Sequence, residues 1–431
     1  MKILNSAPIS CFGGLNFVLE EIEAQGVGQL LTKNMPELAA QSKYSWKDII
    51  YSFWSVFFCG GDCAEDLSGN FSNSLNGNPF ICIPSPDRIL SRMKELAEPK
   101  QFFETVRGNK IHEISENRFL TDINLELINK LGLIDKENIV LDYDNTIIFT
   151  EKADARITYK KGFGYCPGVA LVGNTVVYVE NRNGNTPAHT LQEDTLERMF
   201  LTLESKGLKV QKFRADGASY KLKTLSTVCK YANEIYVRAS KDPAVMKAIS
   251  SITQWQEIET GNGTEYVGSI EYIPFYRRAK EHKLEHLVRP FRLVVTKTKN
   301  SDGQIDLFTG EAFDYSAIVT TDYQSTVEEI IHFYNQRGAA EKEFDILKND
   351  FGWAKMPFSK IEQNTVFLFL CAMCRNLYKY IINLFSQRIT NLKSNFRVKK
   401  FIFRFICIPG KWVKSGGRLK LRLYGTFNFK T

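Results

Sequence analysis

Apolar and polar positions repeat with two different periods along this chain, and the change-over points divide it. In "FYNQRGAAEKEFDILKNDFG", 333–352, the period is helical. Successive residues turn by about 100°, so Phe333, Ala340, Phe344, Leu347 and Phe351 form one apolar stripe. Tyr334, Arg337, Glu341 and Lys348, spaced three, four and seven apart, form a narrow polar stripe beside it. Ser325 with Glu328 reads as a capping box that opens this helix, and Phe351-Gly352 closes it. An ordinary surface helix would turn its cations to water. Here an aromatic, two cations and a carboxylate border a buried face.

Elsewhere the period of two dominates. "NIVLDYDNTIIF" (138–149) predicts a strand, and "GFGYCPGVALVGNTVVYVENR" (162–182) predicts two more joined at Gly173-Asn174. A helix at 190–206, a strand at 209–217, a helix at 221–232 and a strand at 234–240 follow. That order predicts a mixed α/β sheet. Between 242 and 322 the segments "QWQEIET", "EYVGSIEYIPF" and "FRLVVTKTKN" read as a β-rich insertion. A long apolar helix is expected over 361–386. The first 130 or so residues look mainly helical, broken by polar stretches such as "SGNFSNSLNGNP". Within them "IPSPDRILSRMKEL" (83–96) predicts a short helix capped by Ser85 with Pro86 in its first turn. It reads either as the DNA-contacting helix of a helix-turn-helix-like unit or as a solvated amphipathic helix.

Charge changes the picture at one end only. The chain of 431 residues is net +8, yet twelve Lys or Arg and no Asp or Glu fall at or after Arg388. The remainder is therefore net −4 (8 minus 12). Local basicity of this kind suits a polyanion-binding surface. In "GRLKLRLYG", Arg418, Lys420 and Arg422 alternate with leucines, giving a strand one basic face. Such a face protects a sheet edge or tracks phosphates, and the absence of acids favours phosphates. Nine scattered cysteines, an odd number without a framework, point to a reducing cytosol. The opening "MKILNSAPISCFGG" has no apolar stretch of signal-peptide length, and "VFLFLCAMC" is too short to span a membrane, so no membrane role is expected.

Three carboxylates sit where an α/β sheet exposes its strand ends or where a helix faces that edge. They are Asp144 in "LDYDNT", Asp216 in "FRADGASY" and Glu341. Singly, each has a plain reading as a turn cap or a helical ion-pair partner. Together, carboxylates from two strand ends and a facing helix suit two divalent cations such as Mg²⁺, which prefer hard oxygen ligands. A pair of such ions supports phosphodiester chemistry. Asp142 lies on the same strand face as Asp144 and is an alternative first ligand, and Asp345 is an alternative third. Three other motifs lead elsewhere. "HKLEH" (282–286) has the spacing of an inverted zinc-peptidase motif but lies in a charge-dense segment. "CAMC" (371–374) has redox spacing inside an apolar helix, and "GNGTE" is too short for a phosphate loop.

The spacing Tyr334-x2-Arg337-x3-Glu341-x6-Lys348, with "LDYDNT", "RADGASY" and "YKKGFGYCP", resembles the bacterial insertion-sequence DDE transposases that carry a tyrosine–arginine–glutamate–lysine signature. The group-1 branch is the nearest in pattern, and the likeness extends to "FGGL" near the start and "SGGRLKLRL" near the end. Asp-Asn-Thr occupies the place of the family's Asp-x-Thr, which favours Asp144 over Asp142, and the signature spacing favours Glu341 over Asp345. The stretch after the second acid departs somewhat from the family pattern.

The resemblance implies an α/β, ribonuclease-H-like catalytic domain with a β-rich insertion, plus a mainly helical N-terminal DNA-binding region at 1–135. The catalytic domain would occupy 136–241 and 323–387, the insertion 242–322, and a basic DNA-contacting tail 388–431. Asp144, Asp216 and Glu341 would hold two Mg²⁺ or Mn²⁺ ions. Tyr334, Arg337 and Lys348 would contact DNA near the cut, where relatives can pass through a hairpin and hold an extruded base. The implied activity is cut-and-paste transposition at terminal inverted repeats of double-stranded DNA, by a dimer in the bacterial cytoplasm. The alternatives are a nuclease of the same fold without strand transfer and a domesticated, non-catalytic DNA-binding protein.

Overall fold

In the computed structural model the described residues are 9–427 apart from 76, 106–109, 261–262, 301–302, 304 and 306–308. One eleven-stranded sheet organises them. Its strands are β1 (Gln101–Thr105), β2 (Lys110–Glu116), β3 (Ile139–Asn145), β4 (Gly168–Val172), β5 (Thr175–Arg182), β6 (Val210–Ala215), β7 (Glu234–Arg238), β8 (Gln256–Thr260), β9 (Gly263–Tyr272), β10 (Phe291–Lys299) and β11 (Phe313–Thr320). They lie in the order β1-β2-β5-β4-β3-β6-β7-β11-β10-β9-β8. Only β3, β6 and β7 run parallel; the helices Gln192–Ser205 and Leu222–Tyr231 connect them. Parallel neighbours need such crossovers, whereas the flanking antiparallel pairs close through turns or longer loops.

This arrangement departs from the sequence-based expectation in two places, the strand after residue 138 and the N-terminal region. The expected strand over 138–149 is two. β3 ends at Asn145, and Ile148–Phe149 joins a separate three-stranded sheet with Phe163–Tyr165 and Arg156–Ile157. The β-rich segment of 242–322 extends the central sheet: β11 pairs antiparallel with β7 and carries β10, β9 and β8 outward from it. The described residues before 136 form helices up to Glu95 but then supply β1 and β2, which extend the same sheet beyond β5.

Two large apolar cores cover the two faces, and a smaller cluster packs Ile330 and Tyr334 on Tyr236, Val294 and Ile318. On one face, Leu196, Met199, Phe200, Leu225 and Val228 of the crossover helices pack on Leu141, Tyr143 and Phe213. On the other, the helix Ile361–Arg388 and the N-terminal helices form one continuous core, joining Trp54, Phe57, Ile89 and Met93 to Phe367, Leu370 and Leu377. The helix Pro86–Glu95 forms where expected, capped by Ser85 with Pro86 in its first turn. Ile89 and Met93 are buried, and Arg92 is held by Glu95 (2.7 Å) and Ser42 (3.2 Å). The outer face of this helix, with Arg88, Ser91 and Lys94, is exposed. Ile361–Arg388 spans 28 residues and is long and apolar enough to cross a bilayer, but 89% of its most apolar window is covered by the protein. It is a core helix.

Asn376 fastens this helix to the sheet. A bulge between β4 and β5 leaves the main-chain groups of Val176 facing the helix. Asn376 accepts from the Val176 N–H (2.9 Å) and donates to its carbonyl (2.8 Å) and to Asn124 Oδ1 (3.0 Å). Asn376 is fully buried. Asn376→Leu would strand buried polar groups, each worth about 1–3 kcal/mol. We expect a loss of roughly 2–4 kcal/mol in urea unfolding on that basis, and an unchanged midpoint would contradict this role.

Candidate active site

The sheet places two carboxylates side by side. Asp144 is the second-to-last residue of β3, and Asp216 directly follows β6. These strands are parallel, with Asp142 opposite Arg214 and Tyr143 opposite Ala215. The next step of that register sets Asp144 beside Asp216, on the face shared with Asp142 because side chains repeat every second residue. Asp216 is fixed in turn by accepting the Ala218 N–H (3.0 Å) at the 3-10 turn Gly217–Ser219.

Asp142 is already committed. Its carboxylate takes two bonds from Arg214, Nε to Oδ1 and Nη2 to Oδ2, both 2.7 Å, and the pair is buried. Arg214 Nη1 also donates to the Phe333 carbonyl (2.6 Å), with the Phe333 ring 4.7 Å from the guanidinium. Asp142 and Arg214 therefore brace the sheet against the helix bearing the polar stripe.

That helix is broken. Val327–Asn335 and Ala339–Asp350 are α-helical, and Gln336–Gly338 between them is a 3-10 turn. Its capping box is Thr326 with Glu329, one residue later than the sequence suggested. The apolar stripe is buried as expected at Ala340, Phe344, Leu347 and Phe351. Gly352, at φ 76°, ends the helix in a conformation that favours glycine.

The polar stripe turns toward the strand ends. Tyr334 is buried and donates to the Ala215 carbonyl (3.2 Å), beside Asp216. Arg337 Nη2 lies 2.7 Å from Asp144 Oδ2. Lys348 donates to Thr146 Oγ1 (2.7 Å) and to the Ile147 carbonyl (2.8 Å), fastening the end of the helix to the loop after β3. Burial, with some repulsion from Lys160, pulls Lys348 below the usual lysine range. Asp345 points elsewhere, to Arg397 (2.7 Å). Glu341 is exposed, at the start of the second helical segment.

Electrostatics links the three carboxylates. Burial pushes Asp144 up to about 6; Arg337 opposes this, while the negative charges of Asp216 and, more weakly, Glu341 add to it. Three hard oxygen donors that repel one another suit divalent cations. The chemistry of the donor set thus fits metal. A cation needs the ionised carboxylate, so metal binding and cleavage are expected to fall as pH drops through about 6. Isothermal titration with Mn²⁺ at pH 5 and pH 8 checks this, and equal affinities would contradict it.

The other predicted residues lie apart from this cluster. Arg418, Lys420 and Arg422 lie in β13 (Arg418–Leu423), which pairs with β12 (Gly410–Ser415) in a hairpin outside the main sheet. All three side chains are exposed on one face. The hairpin is anchored to the chain start by the Ser10–Gly410 bridge and by Trp412 donating to Asn16 (3.0 Å). His282 and His286 are exposed and join no cluster of possible metal ligands among the described residues. Cys371 and Cys374 are free, buried thiols. Arg214 is the site residue the sequence reading missed. Its position directly before "ADG" was the available signal, but only the strand register reveals its partner.

Residues 86–430 match the family described as transposase DDE domain group 1. No curated protein matches the chain. Among solved structures it is similar to the piggyBac transposase synaptic complex with hairpin DNA, at 11% identity and a TM-score of 0.44 over 92% of this chain and 79% of that one. It is also similar to the Drosophila P element transposase strand transfer complex, at 10% identity and a TM-score of 0.24 over 57% of this chain and 53% of that one. With four-fifths of its length matched, the chain belongs to the transposase DDE domain group 1 family, and is a DNA-cleaving enzyme of a class that works with divalent metal ions.

Proposed function

We propose that the protein carries out cut-and-paste transposition of a bacterial insertion sequence. It would act in the cytoplasm on nucleoid DNA, as a dimer that holds two transposon ends. One observation carries this reading. Asp144 and Asp216 stand on adjacent parallel strand ends while Glu341, from the facing helix, acts electrostatically on Asp144. The strand order β5-β4-β3-β6-β7, with β3, β6 and β7 parallel and β4 antiparallel between β5 and β3, supports a ribonuclease-H-like catalytic core.

On this reading Asp144, Asp216 and Glu341 hold two Mg²⁺ or Mn²⁺ ions. When bound, such a pair lowers the pKa of an attacking water or 3′-hydroxyl and stabilises the leaving oxygen. The chain's own residues position the DNA. Tyr334, Arg337 and Lys348, the tyrosine–arginine–lysine part of the signature, are donors aimed at the carboxylate cluster or the loop beside it. Arg337 is the group that changes partner, leaving Asp144 for a phosphate when a DNA end enters. Its planar fork suits that exchange. Arg418, Lys420 and Arg422 present an exposed basic face for phosphates away from the cut.

Joining of pre-cut ends tests the reading. With 3′-hydroxyl ends and a plasmid target in Mg²⁺, strand transfer products are expected. Cleavage of intact ends without joining of pre-cut ones would instead indicate a nuclease.

A further inference from the structure

The chain leaving Asp216 leads into a basic cleft that the carboxylate chemistry does not use. After the turn Gly217–Ser219 and Tyr220, Lys221 opens the helix Leu222–Tyr231, and no side chain caps it. Lys221 and Lys223 line a cleft of about 350 Å³ together with His189 and Glu193, and with Arg278 and His282 of the short helix Tyr276–Glu281 and its end. The apolar Leu222, Phe275 and Leu284 line it as well. Three permanent cations and two imidazoles thus stand against one carboxylate. That carboxylate does little to neutralise them, since Lys223 lies 3.9 Å from Glu193 with its side chain 61% exposed. Glu281, the carboxylate of the short helix, is paired with Arg277 (3.1 Å) and not with Arg278. Burial, with the positive charge of Lys221 and Arg182, pulls the His189 imidazole below its usual range.

Backbone strain gathers at the same place. Four described residues other than glycine have left-handed backbone; one lines this cleft and two lie within two residues of others that do. Phe275 (φ 62°) lines it, Lys283 (φ 57°) follows His282, and Leu191 (φ 53°) lies two residues after His189. Bulky side chains rarely adopt this conformation, and such outliers concentrate where a ligand site holds the chain in place. An uncapped helix start adds main-chain N–H groups to the cationic lining, a combination that suits phosphate.

We propose that this cleft docks the sugar–phosphate backbone of duplex DNA, holding the segment next to the phosphate that is cut beside Asp216. The inference rests on the DNA transposase reading and extends it to a surface between the two crossover helices and the segment that follows β9. The contacts are to backbone and carry no sequence preference.

The test uses the full chain without metal and a labelled mixed-sequence duplex, with anisotropy read across a salt series. Each phosphate contact adds about 0.9 to the slope of log K against log salt. The variant Lys221→Gln/Lys223→Gln/Arg278→Gln should therefore lose roughly two to three units of slope. The charge-retaining variant Lys221→Arg/Lys223→Arg/Arg278→Lys should keep it. An unchanged slope in the first variant, or an equal loss in the second, would overturn the proposal. Absence of salt-dependent duplex binding by the unaltered protein would instead reject the transposase reading from which it starts.

Discussion

Arg214→Met should destabilise the protein by about 3–5 kcal/mol, the usual consequence of removing one partner of a buried ion pair. Arg214 and Asp142 are buried and doubly bonded, so methionine would leave the carboxylate without its counter-charge. The loss should depend on pH. Burial already raises Asp142 above the usual carboxylate range, with Arg214 opposing it. A group whose folded pKa is raised gives up stability as pH climbs from its unfolded value through its folded one. Without Arg214 that pKa rises further, so the variant should be hurt more at pH 8 than at pH 5. The double variant Asp142→Leu/Arg214→Met removes the orphaned charge and should recover much of the loss. Chemical unfolding of the three proteins at both pH values checks this. Equal destabilisation at pH 5 and pH 8 would show that the pair matters for packing alone.

Why a protein keeps such a pair follows from its position. Arg214 lies two residues before Asp216 and also donates to Phe333, next to Tyr334. It holds the strand that ends in one carboxylate against the helix that supplies Arg337 and Glu341. The buried charge contributes alignment more than stability, which is the role argued for many ion pairs of this kind.

Much of this site was legible in the sequence because it is local. Asp142 and Asp144 share a face through the strand period, and Phe344, Leu347 and Phe351 are buried as the helical period requires. Non-local features were not legible. Asp142 and Arg214 are 72 residues apart and meet only through the parallel register of β3 and β6. The 3-10 break at Gln336–Gly338 has no proline to announce it, and it carries Arg337 to Asp144 just beyond the Arg214–Phe333 bond. β1 and β2 were read within a helical region because strand propensity is weak evidence until a partner is known, and theirs is β5. That the strands after residue 242 extend the central sheet was not legible, because the pairing of β7 with β11 joins residues about 80 positions apart.

The second large effect concerns Glu341. It is exposed, carries no structural ion pair among the described residues, and follows the break in its helix by three positions. Its replacement should therefore leave the fold and the basic surfaces intact. Its charge acts on Asp144 across the site, so its one evident task is with the other two carboxylates. On the proposed reading, losing one ligand of a two-ion site would remove charge stabilisation worth several kcal/mol at the reacting phosphate. A fall in cleavage rate of about a thousandfold or more corresponds to roughly 4 kcal/mol.

The most direct measurement is cleavage of a transposon-end duplex in Mg²⁺ by Glu341→Gln, with binding of the same duplex measured in parallel. The variant should bind the end as the unaltered protein does and fail to cut it. Cleavage at the unaltered rate would contradict the assignment of Asp144, Asp216 and Glu341 as the metal-holding centre.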